Sequence, residues 1–296
     1  MIETRLLHYF LAIAREQSIT RAADVLHISQ PTLSKQMMDL EAQLGKTLLI
    51  RGRKSVTLTE DGTYLRTRAQ EIIDLMEQTE TALLSDSKMI SGDVHLGCGE
   101  TLAMERITRI FKRIHDEYPQ VHFHLYSGAA DSVLSRLDKG LLDVGLLISP
   151  IQQEKYDYMP LGFKDHFGLL MPSNDPLTSQ EMISMQTLST LPLIVPNQRH
   201  MGTQTELEEN SHNIVATYEL IYNATFMVEQ GMGYAVTLDG LVDTHGGRKL
   251  AFRPLDTSIQ MEWFLVTKKY QNFSPAARLF LSEVKRSMRD WTAERE

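Results

Sequence analysis

Between positions 29 and 54 the sequence sets out two groups of side chains able to bond a polyanion and the base edges inside it. Ser29, Gln30, Pro31, Thr32, Ser34 and Lys35 open an amphipathic stretch, and Arg51-Gly52-Arg53-Lys54 forms a basic turn. Glutamine can pair with adenine through two hydrogen bonds, serine and threonine bond bases or phosphates, and lysine bonds guanine or a phosphate. A solvent-facing helix start is polar for ordinary reasons too, so these residues alone leave both readings open. The basic turn decides for nucleic acid, because Arg51, Arg53 and Lys54 would lie where a neighbouring phosphate backbone or minor groove runs.

The elements that must position these groups are legible from spacing. Leu6, Phe10 and Ile13 recur at i, i+4, i+7 and predict a first helix. A second runs from about Thr20 to Leu26, with Ala22, Ala23 and Leu26 inward and the alanines small enough for a close neighbour. Ser29 is a good N-cap, followed by Gln30 and by Pro31, whose missing N–H is harmless in a first turn. Leu33, Met37, Leu40 and Leu44 face the core, which turns Gln30, Thr32, Ser34 and Lys35 outward, and Gly45 ends the helix. KTLLIRGRKSVTLT then reads as a two-stranded wing. From Thr59 to about Lys88 no proline interrupts a helical pattern in which Leu65, Ala69, Ile72, Met76, Thr79 and Leu83 alternate at spacings of 4 and 3. A helix packed on its own domain shows such a stripe as well; a linker and dimerisation helix is the favoured reading.

Ser91-Gly92 marks the next boundary. Beyond it VHLGCG, VHFHLY, DVGLLI, HFGLLM, LPLIV, NIVATYE, GYAVT and WFLVT read as strands alternating with helices, which implies parallel sheet covered by helices, in two α/β lobes. Small ligands bind in such folds at strand ends and helix starts. The candidates are Glu100 and Thr101 after the first strand, Ser127 and Gly128 after the second, Ser149 after DVGLLI, Asn197, Gln198, Arg199 and His200 after LPLIV, and Thr225 at a helix start. Arg199, His200 and helix N-termini suit a carboxylate, while Glu100 opposes one unless it points away.

Charge and composition narrow the class. The net charge is −8, yet residues 1–58 carry eight Lys/Arg against five Asp/Glu, which leaves 22 against 33 in the remainder: a basic head of +3 on an acidic body of −11. With Cys98 alone, no intramolecular disulfide or cysteine-based zinc site can form within one chain. No apolar run approaches the ~20 residues that span a bilayer, and the N-terminus lacks a signal-peptide pattern, so a cytoplasmic location without membrane contact is expected. No nucleophile elbow, zinc-protease helix, P-loop or dinucleotide-binding glycine pattern occurs, so the expectation is a non-enzyme without cofactor. His122 and His124 alternate on one strand face, but no third ligand follows at a diagnostic spacing, and solvent-facing histidines are the expectation rather than a metal site.

Together these residues resemble the LysR-type transcriptional regulators. Ala22-Ala23, Leu26, Ser29-Gln30-Pro31, Leu33-Ser34, Leu40-Glu41, Leu44-Gly45, Leu48, Arg51, Leu58-Thr59 and Gly62 fall in that family's order and spacing. Tyr118-Pro119, Gly140-Leu141-Leu142-Asp143 and Gly231-Met232-Gly233 continue the likeness more loosely. Lys35 stands where arginine is commoner, Leu49 replaces a usual phenylalanine, and Ala129-Ala130 follow Gly128 where many relatives carry threonine or serine. The resemblance implies a winged helix-turn-helix over 1–58, a linker and dimerisation helix over 59–88, and over 89–296 a two-lobed α/β effector-binding and oligomerisation domain like the type 2 periplasmic binding proteins. It implies homodimers or homotetramers on double-stranded promoter DNA, with RNA polymerase as a further candidate partner and a small organic acid as co-inducer. A solute-binding transport component and an enzyme with an appended DNA-binding module are the rivals; the first leaves the basic head without a purpose, the second lacks a catalytic constellation. By position the DNA contacts are Ser29, Gln30, Pro31, Thr32, Ser34, Lys35, Arg51, Arg53 and Lys54. Gln30→Ala is expected to relax base preference, and Arg53→Ala to weaken binding to all sequences and flatten the salt dependence by about one counterion. Equal losses for both variants on specific and random DNA in a binding titration would refute that division.

Overall fold

The structure, a computed structural model, describes residues 2–52, 55–84, 90–148, 154–197, 213–244, 249–257 and 260–293. They fall into two units, Met1–Leu84 and Ser85–Glu296.

In the first unit α1 (Thr4–Glu16), α2 (Ile19–Val25) and α3 (Gln30–Leu44) enclose a core of Phe10, Ile13, Ala22, Ala23, Leu33, Met37 and Leu40. Ser18 and Ser29 cap α2 and α3, their hydroxyls accepting from the N–H groups of Arg21 and Thr32 (both 3.3 Å). Gly45, at φ 64°, closes α3: its N–H reaches the Ala42 carbonyl (3.2 Å) and that of Lys46 the Glu41 carbonyl (3.1 Å), a paired bond pattern that satisfies otherwise orphaned carbonyls. The wing is β1 (Leu49–Arg51) paired antiparallel with β2 (Val56–Leu58). Leu49 is buried in the core, so the smaller side chain still fills its place.

Helix α4 (Glu60–Leu84) divides the expected seam between two uses. Leu65, Ala69 and Ile73 pack on Leu7 and Leu11 of α1, whereas Ile72, Leu75 and Met76 stay exposed at 46%, 41% and 39%. A helix that must close its own domain cannot give its whole apolar stripe to a partner.

The second unit is a ten-stranded mixed sheet with helices on its faces. β3 (Gly92–Cys98), β4 (Val121–Ser127) and β5 (Val144–Ile148) are parallel, joined through α5 (Ala103–Glu117) and α6 (Ala130–Asp138). The expectation of parallel sheet holds for these strands and for β8 with its neighbours, while the long central strand is antiparallel to its partners. β6 (Tyr156–Pro172) runs antiparallel to β12 (Gln260–Lys268) along its first part. Along its second part it is antiparallel to β10 (Tyr234–Leu238) and β11 (Leu250–Asp256). Its start escaped the sequence reading because Pro160 and Gly162 look like breakers; they sit at a bulge, where the four-residue step from Pro160 to Lys164 faces the two-residue step from Phe264 to Glu262. Beyond β10 lie β8 (Leu193–Pro196) and β9 (Ile214–Tyr218), while β7 (Ile183–Ser184) pairs with β11. A short α7 (Met185–Leu188) follows β7, α8 (Ile221–Glu229) precedes β10, and α9 (Pro275–Ala293) ends the chain. Ile107, Ile110 and Ile114 of α5 and Phe280 and Val284 of α9 share one core with Phe167, Leu169 and Met171 of β6. No described helix is long and apolar enough to cross a membrane.

Gly62 lies where α4 passes the wing: a Cβ there would sit 2.2 Å from the Leu48 carbonyl oxygen. Gly62→Ala is therefore expected to destabilise by ~1–3 kcal/mol, the usual range for overpacking, as a lower melting temperature of the full chain by circular dichroism. An unchanged melt would mean that the wing yields freely.

Candidate functional site

The outward face of α3 has the expected composition, and its groups differ in what else they do. Ser29, Gln30, Pro31, Thr32 and Lys35 are exposed and Ser34 is half-buried. Ser29 is committed to capping, and its hydroxyl also meets that of Thr32 (2.7 Å). Gln30 and Lys35 make no side-chain hydrogen bond or ion pair among the described residues, so their donors and acceptors face solvent.

Arg51 has a different place. Its guanidinium bonds Glu41 Oε2 on α3 (3.1 Å), while Glu41 Oε1 accepts the N–H groups of Leu48 (2.7 Å) and Leu49 (3.0 Å). Basic character singled out Arg51 as a phosphate contact; the geometry adds that it braces the wing against α3. The Val56 N–H adds a second tie, to the Gln17 carbonyl (2.9 Å). Arg53 and Lys54 lie outside the described residues.

In the second unit the candidates after β3 meet the start of α8. Glu100 Oε2 accepts the Ile221 N–H (2.7 Å), so its carboxylate occupies the positive end of that helix. The question of where Glu100 points is thereby answered: it fills a place an anionic ligand would seek. Thr101 is buried and fully engaged, donating to Asp165 Oδ2 (3.0 Å) and accepting from the Ala103 N–H (3.0 Å). The Trp263 indole N–H donates to the same Asp165 oxygen (2.7 Å). Burial pushes the Asp165 carboxyl above its ordinary range, against the pull of the Trp263 and Thr101 hydrogen bonds.

The other candidates separate. Ser127 is exposed at the end of β4, and the Gly128 N–H is held by the Cys98 carbonyl (2.9 Å). Asn197 is exposed, its N–H bonded to the Tyr218 carbonyl (2.7 Å). Thr225 is not at a helix start: α8 begins four residues earlier, and Thr225 is wholly buried with its hydroxyl donating to the Tyr222 carbonyl (2.6 Å). The helix start is instead held by Glu100, distant in sequence. Ser149, Gln198, Arg199 and His200 lie outside the described residues.

Four groups near Glu100 carried no sequence signal. Asp165 and Trp263 anchor Thr101. Tyr218 donates its hydroxyl to the Val236 carbonyl (2.7 Å), and burial, with the Glu100 charge behind it, holds the phenol well above its ordinary range. Thr237 lies beside Tyr218, its hydroxyl buried next to that phenol. Asp165 sits between Lys164 and His166, Trp263 opens an apolar run, and Tyr218 and Thr237 lie within strands, so none stands out until the sheet is assembled. Cys98, at the end of β3, is buried, and burial together with the Glu100 charge pushes its thiol up to about 11.

Residues 4–63 match the family model described as bacterial regulatory helix-turn-helix protein, lysR family, and residues 87–289 match the LysR substrate binding domain. The Hca operon transcriptional activator HcaR of Escherichia coli (strain K12) is 29% identical over 302 residues, covering 99% of this chain and 100% of that protein. A hydrogen peroxide-inducible genes activator of Dickeya chrysanthemi is 29% identical over 235 residues, 77% of this chain and 76% of that one. Among solved structures, full-length CbnR complexed with its target DNA superposes with a TM-score of 0.78 at 20% identity, over 97% of this chain and 100% of that one. With both of its units matched in order, the chain belongs to the LysR family of DNA-binding transcriptional regulators.

Proposed function

We propose that the protein reads double-stranded promoter DNA through the first turn of α3 and answers to a small organic acid bound where the two halves of its C-terminal unit meet. The observation that carries the DNA reading is the uncommitted pair Gln30 and Lys35, held in fixed orientation by the Ser29 cap and the Glu41 brace. Gln30 supplies base discrimination and Lys35 a phosphate or guanine contact; Pro31 and Ser34 shape the contact surface. Arg53 and Lys54 extend the contact along the backbone, and Arg51 acts through the wing it positions. The solved complex of CbnR with target DNA and the activator HcaR support this role.

The exposed stripe Ile72, Leu75 and Met76 supports self-association into a homodimer or homotetramer. The protein acts by binding and not by turnover: the polar groups around Thr101 hold backbone and indole N–H groups in place. Promoter DNA as the partner places its work in the cytoplasm, with RNA polymerase as a further contact. Peroxide sensing, suggested by one relative's name, is not carried over. Cys98 has no second cysteine to bond, and a buried thiol with a raised pKa is a poor nucleophile.

The effector is a carboxylate that takes the place of Glu100 at the N-terminus of α8, with the buried Thr237 and Tyr218 hydroxyls nearby. Displacing Glu100 breaks a hydrogen bond between the two halves and so favours a different arrangement of them. Genomic footprinting of the bound protein is expected to give discrete, two-fold symmetric protected sites; uniform or absent protection would sink the DNA reading. Calorimetric titration with a panel of organic acids is expected to show tighter binding to Glu100→Gln than to the parent by about 3- to 30-fold, the size of a charge effect at a helix end. The displacement idea fails if acids bind both chains equally, or if only amines or neutral metabolites bind.

A further inference from the structure

β3 and β4 pair in parallel register, which sets Asp93 beside His122 and His95 beside His124. Alternate strand residues share a face, so all four rise on one side of the sheet while Val94, Leu96 and Val121 fill the core on the other. Their donors converge. Asp93 Oδ1 lies 3.2 Å from His124 Nε2 and 3.7 Å from His122 Nδ1, and the His95 and His124 rings stack with centroids 4.7 Å apart. One ligand atom from each of Asp93, His95 and His124 lies within 4.8 Å of the others. Donors bound to one ion at roughly 2.0–2.2 Å in a tetrahedron stand about 3.3–3.5 Å apart, so modest side-chain rotations bring these three onto a single ion.

A cross-strand hydrogen bond from one histidine would satisfy Asp93. Gathering further imidazoles around the same carboxylate is the pattern of a ligand set. A second carboxylate stands behind it: Asp143 Oδ2 accepts the His95 N–H (2.8 Å), and the Asp143 N–H returns to the His95 carbonyl (2.9 Å). These bonds fix the backbone of one ligand, and the buried carboxylate adds to the local attraction for a cation. The sequence hid the arrangement because two of its donors, Asp93 and His95, lie on the neighbouring strand, 31 and 29 residues before His124 in the chain.

We infer that Asp93, His95 and His124 bind a first-row divalent transition metal, with water in the fourth position. Two imidazoles and one carboxylate suit Zn, Co, Ni or Cu and disfavour Mg and Ca, which prefer all-oxygen sites. The site lies towards the start of β3, whereas Glu100 and Thr101 follow its other end, so it is separate from the effector position. A bound ion would clamp β4, the outermost strand of its sheet, to β3.

The test is titration of the tag-free full chain with zinc chloride by calorimetry, and with cobalt chloride by visible absorption. One equivalent per chain is expected, with the strong absorption of four-coordinate cobalt, unaffected by excess magnesium. Asp93→Asn and His124→Ala, at positions that are half-buried and exposed, are each expected to weaken binding at least about tenfold, since even groups that only orient a ligand have effects of that size. Circular dichroism melts of the metal-free variants separate ligand loss from unfolding. Zinc binding no tighter than millimolar, or binding that survives both substitutions in folded protein, would overturn the assignment.

Discussion

A single strand carries both halves of the C-terminal unit. β6 pairs with β12 as far as His166 and with β10 and β11 from Phe167 onward, so its backbone belongs to both sub-sheets. Its apolar side chains Phe167, Leu169 and Met171 join the same core as the helices of the first half. Whatever rearrangement an effector drives must leave this strand intact, because breaking it would expose a ladder of backbone groups at high cost. Twist at β6 and side-chain contacts beside it are the available freedoms. Asp165, at the change of partners, fixes Thr101, and Glu100, the residue before that threonine, reaches Ile221 across the halves.

Carboxylates act here chiefly as acceptors for backbone and indole N–H groups. Glu41 gathers two N–H groups of the wing and one guanidinium, Glu100 caps a helix, Asp143 ties β3 to the start of β5, and Asp165 receives an indole and a hydroxyl. Each replaces water around a charge with oriented donors, which keeps a partly buried carboxylate tolerable. Part of the acidic balance of the larger unit is thus internal scaffolding rather than a repulsive surface.

What the sequence reveals follows from whether the relevant contacts are local. Caps and apolar stripes are local: Ser29, Gly45 and the Leu33, Met37, Leu40 series predict α3 almost to the residue, and the reading of Gln30 and Lys35 as outward-facing rests on them. Arg51 was legible as a basic group but not as a brace, because its partner, Glu41, is ten residues away on another element. The strand from Tyr156 was hidden by Pro160 and Gly162, which mark turns more often than bulges. Glu100 was legible as a charge near a ligand site but not as a helix cap, since the N–H it accepts lies 121 residues further on.

Helical geometry gives the divided face of α4 a further meaning. At about 100° per residue, Ala69 and Ile73 point about 40° and 80° round from Leu65, while Ile72 and Met76 return to within about 20° of it. The face turned to α1 and the face left open are therefore neighbours, sharing Leu65 as a common edge. Met76 already touches the Thr4 hydroxyl at the start of α1 (3.4 Å). A helix laid along Ile72 and Met76 would press against the margin of the α1 contact, so the open face of α4 is mechanically tied to its packed one.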